Sequence, residues 1–204
     1  MQRKHEEAEP ELGFATAAAF ETWLKKHHAR SGGLRLRLAK KGGEPSVSYA
    51  QAVEVALAWG WIDGHKQSLG RTHWIQRFTP RAAKSPWSKL NCQKAEALIA
   101  AKKMKAPGLA EVERAKADGR WERAYDSPKT SSVPDDLAQA LAKNKRADAF
   151  FATLDRANRY AILYRVHDAK KAETRAARIA QFVALCARGE VLHPERAKRP
   201  KKKK

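Results

Sequence analysis

A chain of 204 residues is long enough to bury one or two hydrophobic cores, and with 43% apolar residues it has the material to do so. No apolar run approaches the roughly 20 residues a membrane-spanning helix needs, and the polar start MQRKHEEAEPELG is unlike a signal peptide, so a cytoplasmic location is expected. The 42 Lys and Arg against 22 Asp and Glu leave a formal net charge of +20, which attracts polyanions such as nucleic acid, phosphates or anionic lipid headgroups, a solubilising surface being the alternative.

Residues 1–13, acidic and poor in apolar side chains, are expected to be disordered. From Thr16, the spacing of Phe20, Trp23 and Leu24 predicts a short helix ending near Ser31-Gly32-Gly33. Leu34, Leu36 and Leu38 alternate with Arg35 and Arg37, the period of a half-buried strand. Ser48 is placed to cap a helix starting at Tyr49 with Ala52, Val53, Ala56 and Leu57 inward, ending at Gly60–Gly64. His65–Arg81 reads as a hairpin turning near Leu69-Gly70, with Trp74, Gln76 and Phe78 on one side. Ser85 and Pro86 predict the N-cap and first position of a helix to about Lys103 that turns Leu90, Ala97, Leu98 and Ala101 inward, and Pro107 opens another to about Trp121. DSPKTSSVP (126–134) is a linker, followed by three or four helices carrying Leu137 and Leu141, Phe150 and Phe151, Leu163 and Tyr164, and Ile179 and Phe182, stopped by Gly189. The expected class is α+β: an N-terminal α/β domain over 14–125 with a small antiparallel sheet, a linker over 126–134, an all-helical domain over 135–190, and a disordered basic tail over 191–204.

The densest local signal is the stretch between Asp63 and Glu96, which has no acid but holds Lys66, Arg71, Arg77, Arg81, Lys84, Lys89 and Lys94. A hairpin running into a helix N-terminus would gather Arg77, Arg81 and Lys84 near Ser85, Ser88 and Asn91, an anion-binding corner; a helix cap beside a solvated basic face is the structural alternative. Trp59, Trp61, Trp74 and Trp87 fall in or beside it, where they could stack on ligand bases, although about two of the four are expected in the core. Asp63 is the lone bordering carboxylate, expected to pair with an arginine or to cap a turn, and it is the candidate general base if the protein is an enzyme acting on an anionic small molecule. No GxSxG elbow, P-loop or strand-linked GxGxxG occurs, and neither the seven histidines nor Cys92 and Cys186 show metal-ligand spacing; catalytic residues, cofactors and metals are therefore assigned as none. Cys92, near a helix start among bases, is expected to be a buried structural thiol, with an acidified thiol the alternative. In the tail, Lys198, Arg199, Lys201, Lys202, Lys203 and Lys204 form a nucleic-acid-binding arm by charge alone.

GWIDG (60–64), QRFTPR (76–81), KSPWSKLN (84–91), ADGRWERAYDSP (117–128), VPDDL (133–137), NRYAIL (158–163) and AKKAETRAARI (169–179), in this order over about residues 15–190, resemble the YdeI/OmpD-associated, bacteriocin-protection family. The resemblance implies an N-terminal α/β portion, a helical C-terminal portion and a role in tolerance of bacteriocins or cationic antimicrobial peptides, and it implies no reaction. Some members are periplasmic or outer-membrane-associated. It carries over the motif positions Trp61, Asp63, Arg77, Thr79, Pro80, Arg81, Ser85, Trp87, Ser88 and Asn91, and in the second half Lys170, Glu173, Thr174, Arg175 and Arg178. The expected partner is an anionic ligand or nucleic acid, with residues 135–190 as a possible protein-binding face on which Lys170, Glu173, Arg175 and Arg178 would form a solvated, self-paired stripe.

Overall fold

A computed structural model describes residues 9–194, which divide into two compact units, one ending at Ala124 and one beginning at Tyr125. Among the described residues, no helix is long and apolar enough to cross a membrane.

The N-terminal unit is built on a four-stranded sheet of order β1-β2-β4-β3, comprising β1 (Glu11–Gly13), β2 (Leu34–Ala39), β3 (Trp61–Leu69) and β4 (His73–Pro80). β2, β4 and β3 are antiparallel, but β1 lies parallel to β2 with Leu12 beside Leu36, so the sheet is mixed. The expectation of disorder through residue 13 fails over its last three residues, because Leu12 supplies one apolar side chain to the core face and the backbone finds a partner in β2. α1 (Ala17–His27) is capped by Thr16, and α2 (Tyr49–Ala58) starts in a full capping box in which Ser48 and Gln51 satisfy each other's backbone N–H groups. Both helices cover one face of the sheet, where Phe20, Leu24, Leu34, Leu36, Leu38, Trp61 and Phe78 are at most 1% exposed. Each such side chain contributes about 1.5–3 kcal/mol, which explains why the Leu-x-Leu-x-Leu alternation of β2 fixes its facing.

β3 begins at Trp61, inside the stretch expected only to end α2. The strand accommodates Gly64 through a register shift between Asp63 and Lys66. Gln76 is buried on the core face and its amide donates to the Gly64 carbonyl at 2.8 Å, satisfying two polar groups that this irregularity would otherwise strand.

A second core in this unit forms between the end of α2, α3 (Lys89–Ala100) and α4 (Ala106–Ala117), from Leu57, Trp87, Cys92, Ala95, Val112, Ala115 and Ala124. The helix expected to start at Ser85-Pro86 instead starts at Lys89, with Ser88 as its N-cap accepting from the Asn91 N–H. Trp87 decides this: it is 1% exposed, and lodging it in the core keeps residues 81–88 in an irregular path whose Pro86 and Ser85 carbonyls accept from Arg81 and Arg120. The later start rotates the helix, so Cys92 and Ala95 face inward and Leu90 is exposed.

The C-terminal unit contains α5 (Asp135–Ala142), α6 (Lys145–Thr153), α7 (Arg156–Asp168) and α8 (Ala172–Ala187). Leu137, Leu141, Phe151, Ile162, Val166, Phe182 and Cys186 make its core, and Gly189 ends α8 with a positive φ of 74° that a side chain would disfavour.

Candidate functional site

The face of the sheet opposite the helices carries Arg35 and Arg37 of β2 and Arg77 of β4, with Arg35 directly opposite Arg77 and Arg37 directly opposite Ile75. Like charges facing each other across a ladder oppose pairing. Among the described residues, two acids offset them: Glu9 takes the Arg77 guanidinium on both carboxylate oxygens, and Glu11 approaches Arg35 at 3.4 Å. Arg35 also donates to Gln67 of β3 at 3.3 Å, bridging the intervening strand, which explains how Ile75 on this outward face is only 2% exposed. The Arg37 guanidinium lies over Gly13, where a Cβ would sit 3.4 Å from its Nε. The result is a flat arginine-rich surface with acids along one side. Its arginines offer the chemistry of phosphate or carboxylate contact.

The residues expected to form one anion-binding corner are distributed over four places. Trp61 is sealed in the first core, edge-on to Trp23. Asp63 and Trp74 lie at the rim of the helix-covered face, where Tyr49 donates to Asp63 at 2.6 Å, packs against Trp74, and Lys66 sits 3.9 Å from the Trp74 ring centroid. Asp63 is thus bonded by a phenol. Arg77 belongs to the opposite, arginine-rich face. Arg81 is 5% exposed and lies 3.7 Å over the Trp87 ring, which in turn packs on Trp121. Ser85 contributes its carbonyl to Arg120, Ser88 and Asn91 form the α3 cap, and Lys84 is exposed on the loop. The basic block is contiguous in sequence but not in space, because strand alternation sends Arg77 outward while Arg81, four residues on and past the strand end, turns into a core. The thiol of Cys92 is pushed up to about 11, chiefly by burial and then by Glu96, the direction opposite to an acidified thiol. Among the described residues, no group of three or more His, Cys, Asp or Glu could hold a metal ion. Lys198, Arg199 and Lys201–Lys204 lie outside the described residues.

In the C-terminal unit, Arg175 and Arg178 do not form a solvated stripe. Arg175 binds the Asp136 carboxylate through Nε and one terminal nitrogen and the Val166 carbonyl through the other, and Arg178 donates to the Arg165 carbonyl and Asp168. Both cations thereby serve the last-turn carbonyls of α7, where the helix dipole favours positive charge. Beside them lies a cleft of about 140 Å³ between the segment 125–134 and α7, lined by Tyr125, Tyr160, Tyr164, His167 and Arg175. Sequence reasoning passed over it: Tyr160 and Tyr164 share a helix face, a weak signal, but Tyr125 precedes the presumed linker and nothing local relates it to them.

Comparison with known families separates the two halves. Residues 12–111 match a domain of unknown function, DUF8412. Residues 130–189 match the family described as bacteriocin-protection, YdeI or OmpD-associated. The OmpD-associated match therefore rests on VPDDL, NRYAIL and AKKAETRAARI, whereas GWIDG, QRFTPR and KSPWSKLN fall in the first domain and ADGRWERAYDSP between the two. No curated protein and no solved structure matches the chain. Within the OmpD-associated domain, Lys170, Glu173 and Thr174 are exposed, while Arg175 and Arg178 hold α8 to α7 and α5.

Proposed function

We propose that this protein is a non-enzymatic binding protein whose N-terminal unit takes a polyanion, a phosphate-bearing backbone such as that of nucleic acid, on the arginine face of its sheet. One observation carries the reading: Arg35, Arg37 and Arg77 occupy adjacent positions in register on the face opposite the helix-covered core. The net charge of +20 supports it by drawing polyanions to the surface at long range. The family description of residues 130–189 supports placing this binding in bacteriocin protection. A chain this basic repels a cationic peptide, so protection would act by occupying anionic sites or through another partner rather than by sequestering the peptide. The basic tail at 196–204 adds nonspecific affinity in the same reading.

The test is titration of a fluorescent DNA duplex at several salt concentrations with the full chain, with a version ending at Pro194, and with Arg35→Gln/Arg37→Gln/Arg77→Gln in each. The triple substitution is expected to weaken binding at least tenfold at low salt and, for three phosphate contacts, to reduce the salt slope by roughly 2–3. Unchanged affinity and slope in the triple variant, or no binding by the full chain at low salt, would overturn the proposal.

A further inference from the structure

The arginine face already carries anions of its own, the two carboxylates that lead into and begin β1. Arg77 donates to both carboxylate oxygens of Glu9, and Arg35 donates to Glu11 at 3.4 Å. The Glu9 side chain crosses Gly33 so closely that a Cβ on that glycine would lie 2.6 Å from the Glu9 carboxyl carbon. Arg37 stands beside them, exposed and with no carboxylate partner among the described residues. Two of the three cations are thus occupied, and one is open.

The chain is held differently on the two sides of Leu12. Leu12 and Phe14 pack on the first core, and the Phe14 carbonyl accepts from the Val47 N–H at 2.9 Å. Glu9–Glu11 lie against the face through polar groups, namely the two ion pairs and the Arg35 N–H, which donates to the Pro10 carbonyl at 2.9 Å. These pairs stand partly in water, with Arg35 and Glu11 each 40% exposed, and an ion pair so placed shifts an equilibrium by at most about fivefold. Exchanging the two carboxylates for other anions therefore leaves the core of the sheet intact.

We infer that Glu9 and Glu11 are built-in competitors on this face: a polyanion makes its first contact at Arg37 and then displaces Glu11 from Arg35 and Glu9 from Arg77, so the site selects contiguous phosphates over isolated ones. The inference rests on the polyanion reading above and adds the class of ligand. An isolated phosphate gains Arg37 and must then compete with carboxylates tethered beside the other two arginines. A nucleic-acid backbone held at Arg37 brings its neighbouring phosphates to Arg35 and Arg77 at an equally high effective concentration.

The experiment measures affinity of the full chain for a short DNA duplex at low salt, and backbone mobility by the heteronuclear NOE of the amides. Glu9→Gln/Glu11→Gln should tighten binding roughly fourfold or more, whereas Glu54→Gln/Glu113→Gln, which removes the same two charges from α2 and α4, should change it by less than about twofold. Gly33→Ala crowds Glu9 off Arg77 with no change in net charge, and should tighten binding by about twofold or more. Saturating duplex should lower the NOE of Glu9 and Glu11 and leave that of Leu12 in place; inorganic phosphate at the same phosphate concentration should lower neither. If the triple arginine substitution leaves duplex binding unchanged, the polyanion reading and this inference fall together. If it weakens binding while the double glutamine variant binds no more tightly than its control, the inference alone fails. The same holds if folded Gly33→Ala binds no more tightly than the unsubstituted chain, if the duplex leaves the NOE values unchanged, or if inorganic phosphate lowers them as far as the duplex does. Should Gly33→Ala fail to fold, the glutamine pair against its control and the NOE decide the question.

Discussion

Arg175 and Asp136 meet in a two-point bridge that joins the first turns of α8 and α5, and the third donor of the same guanidinium caps α7 at Val166 with a bond of 2.9 Å. The side-chain hydrogen bond from Arg175 holds the Asp136 carboxyl below its usual range. A folded-state pKa that is depressed contributes stability above the unfolded value, about 3.9, and loses it as pH falls through the lower folded value. Because the Asp136 side chain is 44% exposed, the ion pair itself is worth only about 0.5–1 kcal/mol. Arg175→Gln is expected to destabilise the protein by about 1 kcal/mol at pH 7, the carbonyl cap included, and the difference should shrink below about pH 4. Thermal unfolding by circular dichroism across pH checks both points; a difference that grows on acidification contradicts the assignment.

Gly108, in the first turn of α4, admits the end of α2 so closely that a Cβ there would lie 2.3 Å from the Ala58 carbonyl oxygen and 2.5 Å from the Met104 sulfur. Helix propensity alone favours Ala by about 1 kcal/mol. The backbone clash should win, and Gly108→Ala is expected to destabilise by about 2 kcal/mol or more in urea. Gly32→Ala, with nothing within 4 Å, should be neutral or slightly stabilising.

Both cysteines are buried and free, and burial raises both thiols, with Cys92 at about 11. Native protein at pH 8 should react very slowly with an aromatic disulfide reagent, and each thiol should become reactive as its own unit unfolds in urea. Rapid labelling of Cys92 in the native state would contradict its placement in the core.

Glu9 occupies the Arg77 guanidinium on the proposed polyanion face. If phosphate competes for that arginine, Glu9→Gln should tighten duplex binding by roughly two- to fivefold at low salt while costing at most about 1 kcal/mol of stability, since the pair is partly exposed. Binding by fluorescence anisotropy beside thermal unfolding separates the two effects; a variant that binds no more tightly shows that the ion pair does not compete.

Much of the N-terminal fold was legible because its signals are local. The alternation of Leu34, Leu36 and Leu38 set the strand and its facing, and Ser48 set the start of α2 through a capping box whose two members lie three residues apart. Ser85-Pro86 carries an equally good local signal, yet the helix begins at Lys89, since burying Trp87 outweighs an alternative cap worth about 1 kcal/mol. β1 went unread because three residues have too little pattern; its hydrogen-bond partners lie more than twenty residues away in β2.

The site divides in the same way. Residue types and spacing alone determined that the protein is strongly basic, that no standard catalytic motif is present, and that Arg35 and Arg37 point away from a leucine-lined face. Tertiary structure decided which bases share a surface: it put Arg77 beside Arg35, took Arg81 into the second core of the N-terminal unit over the Trp87 ring, and brought Tyr125 to Tyr164, which packs on Tyr160. The physical reason is range. Caps and periodicities act within a turn or a strand, whereas strand register and the burial of large aromatic rings are settled only when distant segments compete for the same core, and these contests decide where each charge and each ring ends up.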